Sequence, residues 1–432
     1  MKRILSSLRS QRRIAGGAAV LAGTQLAASV CGFLRDQAFS LTFPLGKDPI
    51  GVASVYIAAF RPSDLLFQVF VMSSLSVILV PFLAAHLAHK RTEEMNSVTT
   101  STLILFGAGF GAVALLMALF FPLIAPSMTK FTGPSLELYI KFGRIALLTN
   151  FLFVFGNTVG QYLITVQKYW IYGITPILWA AGTIGGTYLL TPYVGPMGPI
   201  YGTLIGTIVY VIVRLLGVMK AGFRFRVPHG VIHPEWKQMG WLIIPRMGAL
   251  GALQLQLLLL DRLGSGLGNS MVAVNQFASN FESVIPGIVG IAIAQSAFSL
   301  LSQSAAKGDF KRFKNNIVTG MWFNLAIAIP GAVVLAFCAP VAVWLLHLQG
   351  ETARLFTAAL VIYAIAVPFE STNHILLRAF YSLKNTLWPA VSSVVSCTMA
   401  VATGYLLLDS LGLYALAVAY IVAQIAQAIF LG

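Results

Sequence analysis

A chain of 432 residues that is 58% hydrophobic and only 9% charged, with a mean hydropathy of +0.84, lacks the polar surface a soluble protein of its size needs. Lipid offers no partners to backbone N–H and C=O groups, so the chain must span a bilayer as helices or as a closed barrel. Its long apolar runs select helices, because barrel strands alternate over about ten residues. The net charge of +15 does not point to nucleic acid, since the basic residues fall in short breaks between apolar runs, as a positive-inside topology requires.

In chain order, a basic start (residues 1–13) precedes an apolar run too long for a signal-peptide core and is expected to be retained. Twelve membrane-spanning helices are predicted: 15–43, 51–88, 99–126, 136–166, 169–191, 197–220, 237–264, 270–303, 315–346, 352–383, 385–408 and 412–431. With the N-terminus cytoplasmic, 17 Lys and Arg residues lie on the inside and only Lys47 and Lys130 on the outside. Both termini are therefore expected in the cytoplasm. The largest inside linker, 221–236, separates an N-terminal six-helix repeat (1–220) from a C-terminal one (237–432).

The halves resemble each other. SLSVILVPFLAAHLAHKR (74–91) matches AIAQSAFSLLSQSAAKGD (292–309), and QYLITVQK (161–168) matches LRAFYSLK (377–384), at offsets of 218 and 216. Repeats with an even number of helices share one orientation, so the pseudo-axis runs along the membrane normal and the halves can rock about a central cavity. The expected fold class is therefore an all-α, polytopic membrane protein of twelve helices in two six-helix repeats.

No catalytic constellation and no GxxxxGK[ST] phosphate loop is present, so the chain is not expected to be an enzyme or to hydrolyse ATP. Cys31, Cys338 and Cys397 all lie in apolar runs, with no CxxC spacing. His86, His89, His229 and His233 have spacings that permit metal binding but no acidic or thiol partner, and are read as solvated interfacial residues. No metal site and no cofactor are expected, beyond a coupling ion of unknown identity. Pro62, Pro245, Pro286, Pro330 and Pro368 are expected to interrupt helices and supply hinges.

Charges at membrane depth carry the functional signal, because each costs at least ~3 kcal/mol at a helix centre unless it has a partner, water or a task. Lys141, Arg214, Arg262 and Arg354 lie near helix ends and are read as snorkelling to headgroups. Arg35, Arg61 and Arg246 are not so easily placed. Arg35 and Asp36 point about 100° apart on a helix and need not pair, whereas Asp64, three residues after Arg61, shares its face. Interhelix ion pairs would explain these charges structurally. A cationic cavity would explain them functionally, since guanidinium groups grip phosphate oxygens two at a time.

Three stretches resemble the MurJ/MviN-type lipid II flippases. SVCGFLRDQAFSLTF (29–43) is similar to that family's RVLGFxRDxxxAxxFG; AFRPSDLLFQVFVMSSLSVILVPFL (59–83) resembles AFRIPNLLRRLFAEGAFSxAFVPxL; and GIVGIAIAQSAFSLLSQSAAKGDFKRF (287–313) resembles GVFGIALATAILPSLSxxAAxGDxxxF. The resemblance implies alternating access about a cationic cavity that takes an undecaprenyl-pyrophosphate-linked sugar, lipid II first among candidates. It aligns Arg35 and Asp36 with the family's RD pair, and Arg61 with a basic residue. The substrate-binding set expected is Arg35, Asp36, Arg61, Asp64, Arg246, Asn280, Glu282 and Arg378.

The sequence also departs from the pattern. Ser29, Ser54, Phe67, Gln68, Met72 and Asn280 stand where the family has charged residues, Arg246 is additional, and the family commonly carries two helices beyond twelve. Two other readings stay open: a proton- or sodium-coupled drug exporter using Asp36, Asp261 or Glu282, and a non-transporting scaffold of an envelope-synthesis complex. The expected setting is a bacterial inner membrane. The expected partners are a lipid-linked anion, membrane lipids and cell-wall synthesis proteins, with no nucleic acid and a monomeric chain.

Overall fold

The computed structural model describes residues 2–75, 79–227 and 235–432, with backbone only for residues 2–15, 18, 235, 237–242 and 245. His229 and His233 lie outside the described residues. Among the described residues there is no strand, and helix occupies each of the twelve predicted segments. By length and apolarity, eight of the described helices can cross a membrane, or nine if one bent pair counts as a single span. One of the eight, Tyr169–Lys220, runs for 52 residues and takes in two of the predicted segments.

In chain order the helices are α1 (Lys2–Thr42), α2 (Val52–Phe67), α3 (Val80–Ala88), α4 (Thr92–Met128), α5 (Gly133–Thr165), α6 (Tyr169–Gly185), α7 (Thr191–Val194), α8 (Gly198–Lys220) and α9 (Glu235–Ser265). There follow α10 (Met271–Glu282), α11 (Ile291–Ala306), α12 (Phe310–Phe337), α13 (Ala339–Leu345), α14 (Gly350–Ala364), α15 (Val367–Ser382), α16 (Leu387–Leu411) and α17 (Tyr414–Leu431). Wider π turns occur at Gln68–Met72, Gly186–Leu190 and Pro286–Gly290.

The prolines act unequally. Pro286 opens the last of these π turns, and Pro368 sits in the first turn of α15, just after a bend of 42° from α14. Pro62 and Pro330 stay inside continuous helices, against the expectation that they interrupt them. A proline removes one helical hydrogen bond, and the neighbouring turns still hold the helix together. Pro340, which the sequence reading did not single out, marks the break between α12 and α13.

The chain packs as two compact units that do not coincide with the halves of the sequence. The first comprises Met1–Thr42, Leu66–Phe121 and Lys141–Ile243; the second comprises Phe43–Leu65, Pro122–Ile140 and Ile244–Gly432. In the first unit, α6 and α8 meet backbone to backbone. A Cβ on Gly182 would lie 2.5 Å from the Gly206 Cα, and one on Gly186 would lie 2.4 Å from the Gly202 Cα. Small residues at a spacing of four let helices approach in lipid, where burial of apolar surface gives no advantage. The Thr183 and Thr203 hydroxyls hydrogen-bond across this contact at 2.8 Å.

Arg214 on α8 does not snorkel. It is 1% exposed and is satisfied without a carboxylate. Its Nε donates to Thr175 Oγ1 at 2.8 Å, Nη1 to the Gly156 carbonyl at 3.1 Å and Nη2 to the Tyr172 carbonyl at 3.2 Å. The rings of Tyr172 and Tyr210 lie 4.4 and 4.2 Å from its central carbon. Gly160 leaves room for it, since a Cβ there would come within 2.6 Å of Nη1. This arginine ties α5, α6 and α8 together. We expect Arg214→Ala to take a donor from Thr175 Oγ1 and from the Gly156 and Tyr172 carbonyls, to leave a buried cavity, and to cost about 3 kcal/mol or more. Arg214→Lys should recover only part, because the fork and the stacking are lost. Fluorescence-detected size exclusion after heating would check this; an Arg214→Ala protein as heat-resistant as the parent would refute it.

Candidate functional site

The second unit contains a seam between distant parts of the sequence. The segment leading into α2 meets the turn between α9 and α10. Gly46 N–H donates to Ser270 Oγ at 2.9 Å, Asn269 Nδ2 donates to the Pro49 carbonyl, and Ala273 N–H donates to Ser54 Oγ at 3.0 Å. Gly51 has φ +69°, and a Cβ there would lie 2.1 Å from the Asn269 carbonyl oxygen, so only glycine fits. Lys47 Nζ donates to Gln349 Oε1 at 3.1 Å, and Lys130 N–H donates to Ser265 Oγ at 2.8 Å. Ser54, one of the departures from the family pattern, is fully buried and its hydroxyl is used.

Beneath the seam Arg61 crosses from α2 to α9. Its Nε donates to Asp261 Oδ2 at 2.6 Å, with the two side chains 14% and 6% exposed. Its Nη2 donates to Gln276 Oε1 on α10, and Gln276 Nε2 donates to Asn280 Oδ1 at 2.7 Å. The carboxylate that neutralises Arg61 is thus Asp261, 200 residues away, rather than Asp64, one helical turn on. Asn280 closes a polar thread that starts from an arginine on another helix.

The remaining candidates fall in several places. Arg35 pairs with Asp36, its Nη2 2.7 Å and its Nε 3.1 Å from Asp36 Oδ1. The sequence reading treated the two as independent, but a long arginine side chain can fold back onto its neighbour. Both belong to the first unit, whereas Arg61, Arg246, Asp64, Asn280, Glu282 and Arg378 belong to the second. Arg246 on α9 and Arg378 on α15 both act electrostatically on the Tyr381 hydroxyl, and Arg378 lies over the Phe298 ring at 5.6 Å. Glu282 is fully buried on α10. Among the described residues, no group of three or more His, Cys, Asp or Glu side chains is placed to hold a metal ion.

Sequence reasoning left Asp261, Gln276, Glu370 and Tyr420 out of the site. Asp261 carried a signal, as an acid at membrane depth. Glu370 carried the same signal, and Gln276 and Tyr420 become visible only when the helices are packed.

The fold is that of a polytopic transporter. It superposes on a solved lipid II flippase MurJ in an inward closed conformation with a TM-score of 0.79 at 19% identity, covering 96% of this chain and 86% of that one. It also superposes on an inward-facing multidrug resistance MATE family transporter of the MOP superfamily, with a TM-score of 0.78 at 15% identity, covering 93% and 92%. The sequence profile described as "Lipid II flippase MurJ" matches residues 45–432, and the chain belongs to that family. Similar relatives include probable lipid II flippases MurJ of Bdellovibrio bacteriovorus (23% identical, 98% of this chain and 82% of the relative) and of Aquifex aeolicus (22%, 94% and 80%). The Thermosipho africanus lipid II flippase MurJ is 21% identical, over 85% of this chain and 74% of the relative.

Removing Asp261 would strand a buried guanidinium. We expect Asp261→Ala to lower the amount of folded protein, by a destabilisation of about 3–5 kcal/mol. Arg61→Ala with Asp261→Ala should recover part of it, since the double change leaves no unpaired charge. Membrane abundance of the two single variants and the double variant measures this, and strictly additive losses would contradict the pairing.

Proposed function

We propose that this protein is a multi-pass transporter of a bacterial inner membrane that carries lipid II, an undecaprenyl-pyrophosphate-linked sugar, from one leaflet to the other. The observation that carries the reading is the family match over residues 45–432. The physical problem is to move a pyrophosphate through hydrocarbon. Guanidinium groups replace the water such an anion would lose, and do so with paired hydrogen bonds. Arg35, Arg246 and Arg378 are the groups we assign to this task, with Asp36, Asp64 and Glu282 setting the local charge and Asn280 offering a neutral amide. We assign Arg61 chiefly to the seam.

In this reading the seam is the outer gate. It has to part for the headgroup to leave, and it is built for that. Single hydrogen bonds each contribute about 1 kcal/mol net and can be exchanged for water, so opening costs a few kcal/mol rather than a large apolar penalty. The orientation follows from the basic residues, with both termini and the 221–236 linker inside and Lys47 and Lys130 outside. No ATP and no resident cofactor enter this cycle.

Two measurements test it. Expression in a strain depleted of its own lipid II flippase should restore growth. Alanine at Arg35, Arg246 or Arg378 should abolish that rescue at near-normal protein abundance, with lysine recovering part of it. Failure of the parent protein to rescue, or full rescue by all three alanine variants, would overturn the assignment. For orientation, single cysteines at Lys130 and Ala221 should be labelled by an impermeant thiol reagent from outside and from inside respectively; the reverse pattern inverts the map.

A further inference from the structure

A second polar cluster lies on the same helix as Gln276, reaching its C-terminal end. Glu282 is the last residue of α10 and is fully buried, yet neither of its carboxyl oxygens has a hydrogen-bond donor facing it. The group beside it is another carboxyl, that of Glu370 on α15. Glu370 Oε2 accepts a 2.6 Å hydrogen bond from the Tyr420 hydroxyl on α17. The Tyr420 ring packs against that of Tyr363 on α14, centroids 5.4 Å apart, and the Tyr363 hydroxyl donates to Asn275 Oδ1 at 3.0 Å. Asn275 precedes Glu282 by two helical turns and shares its face. All these residues lie within the second unit.

Two facing carboxylates in a buried site cannot both carry charge. One proton between them resolves the repulsion and gives one of the two Glu282 oxygens a partner, because a protonated Glu282 becomes a donor to Glu370. Among the described residues, neither Arg378 nor Arg61 offers another solution. Arg378 on α15 is turned onto the Phe298 ring, and Arg61 is engaged by Asp261 and Gln276. Of the other titratable groups, His374 on α15 feels both Glu370 and Arg378, and Tyr363 and Tyr420 face the pair, Tyr363 also feeling Asp261 and Arg61.

The position of the pair gives the proton something to move. Glu282 ends α10, and the π turn Pro286–Gly290 follows before α11 begins. Such turns have fewer constraints than α-helix and recur at functional sites. The turn also lies against α15: a Cβ on Gly290 would sit 3.0 Å from the Ser371 Cα, next to Glu370. Losing the proton would set two negative charges against each other across this contact, and separating them bends the chain at the break. The middle of α10 holds Arg61 through Gln276, six residues before Glu282.

We propose that Glu282 and Glu370 share one exchangeable proton, and that its release and uptake work the break between α10 and α11. No bond other than O–H forms or breaks: a proton from water binds one carboxylate oxygen and later returns to water. That this proton couples to movement of the lipid-linked substrate rests on the function proposed above.

The test has two readouts. In purified protein in liposomes, infrared spectroscopy should show a protonated carboxylic acid at neutral pH that shifts in heavy water and is lost at alkaline pH. Glu282→Gln and Glu370→Gln should each abolish it, and either amide can donate to the remaining carboxylate, so both variants should fold. Absence of the band, its survival in both variants, or its loss on adding sodium chloride at fixed pH would overturn the shared proton, the last by making the pair a sodium site. With lipid II present, an imposed proton gradient should change the translocation rate of the parent and leave the non-zero rate of Glu370→Gln unchanged. Parent transport indifferent to the gradient would overturn the coupling. A parent with the infrared band but no transport under any gradient would instead count against the lipid II reading.

Discussion

The constraint on which this structure turns is that a charge inside a bilayer must be satisfied by the protein itself. The chain meets it in three physically different ways. Arg214 is buried among carbonyls, a threonine hydroxyl and two tyrosine rings, with no counter-charge. Arg61 is matched by Asp261. Arg144 donates from Nε to the Ala118 carbonyl at 3.0 Å, a carbonyl left without its helical partner because Pro122, four residues on in α4, has no N–H. The first and third of these arginines are fixed to backbone and rigidify a packed unit. The second holds together segments far apart in sequence, and a bond of that kind can be exchanged during a cycle.

This division follows the packing. The glycine-lined approach of α6 and α8 is close and leaves no room for side chains to rearrange, so its crossing is fixed. The seam in the second unit is made of single hydrogen bonds between turns and helix ends, backed by Gly51 in a backbone conformation that excludes any side chain. A contact of small polar groups can open into water with little loss, whereas an interdigitated apolar contact cannot.

Much of this was legible in the sequence, for identifiable reasons. Hydropathy located helix in all twelve segments, because in lipid the length of an apolar run and the demand for internal hydrogen bonds leave one solution. The motif around Arg35, Asp36 and Arg61 pointed to the family. Facing and partnership were not legible. Arg214 lies six residues from a helix end, which suits snorkelling, and only the packing of α5 and α6 against that face shows that it is buried. Asp261 and Glu370 find their partners 200 and 88 residues away, distances at which sequence carries no pairing signal. Prolines misled in the same way: they report a missing hydrogen bond, while neighbouring structure decides whether a helix breaks.

The departures from the family pattern also find a place in the structure, and they bear on how this chain handles an anion. Phe67, standing where the resemblance has an arginine, is buried with its ring edge-on to Phe110 at 6.1 Å and tilted to Phe153 at 6.3 Å. An arginine there would have to leave an aromatic cluster, so its loss is built into the core of the first unit. Asn280 likewise serves the thread from Arg61 in place of a positive charge. Arg246, additional to the family pattern, lies with Arg378 within electrostatic reach of Tyr381 in the second unit. The departures at Phe67 and Asn280 thus occupy packed or hydrogen-bonded positions, where a positive charge would need a new partner to be tolerated at membrane depth.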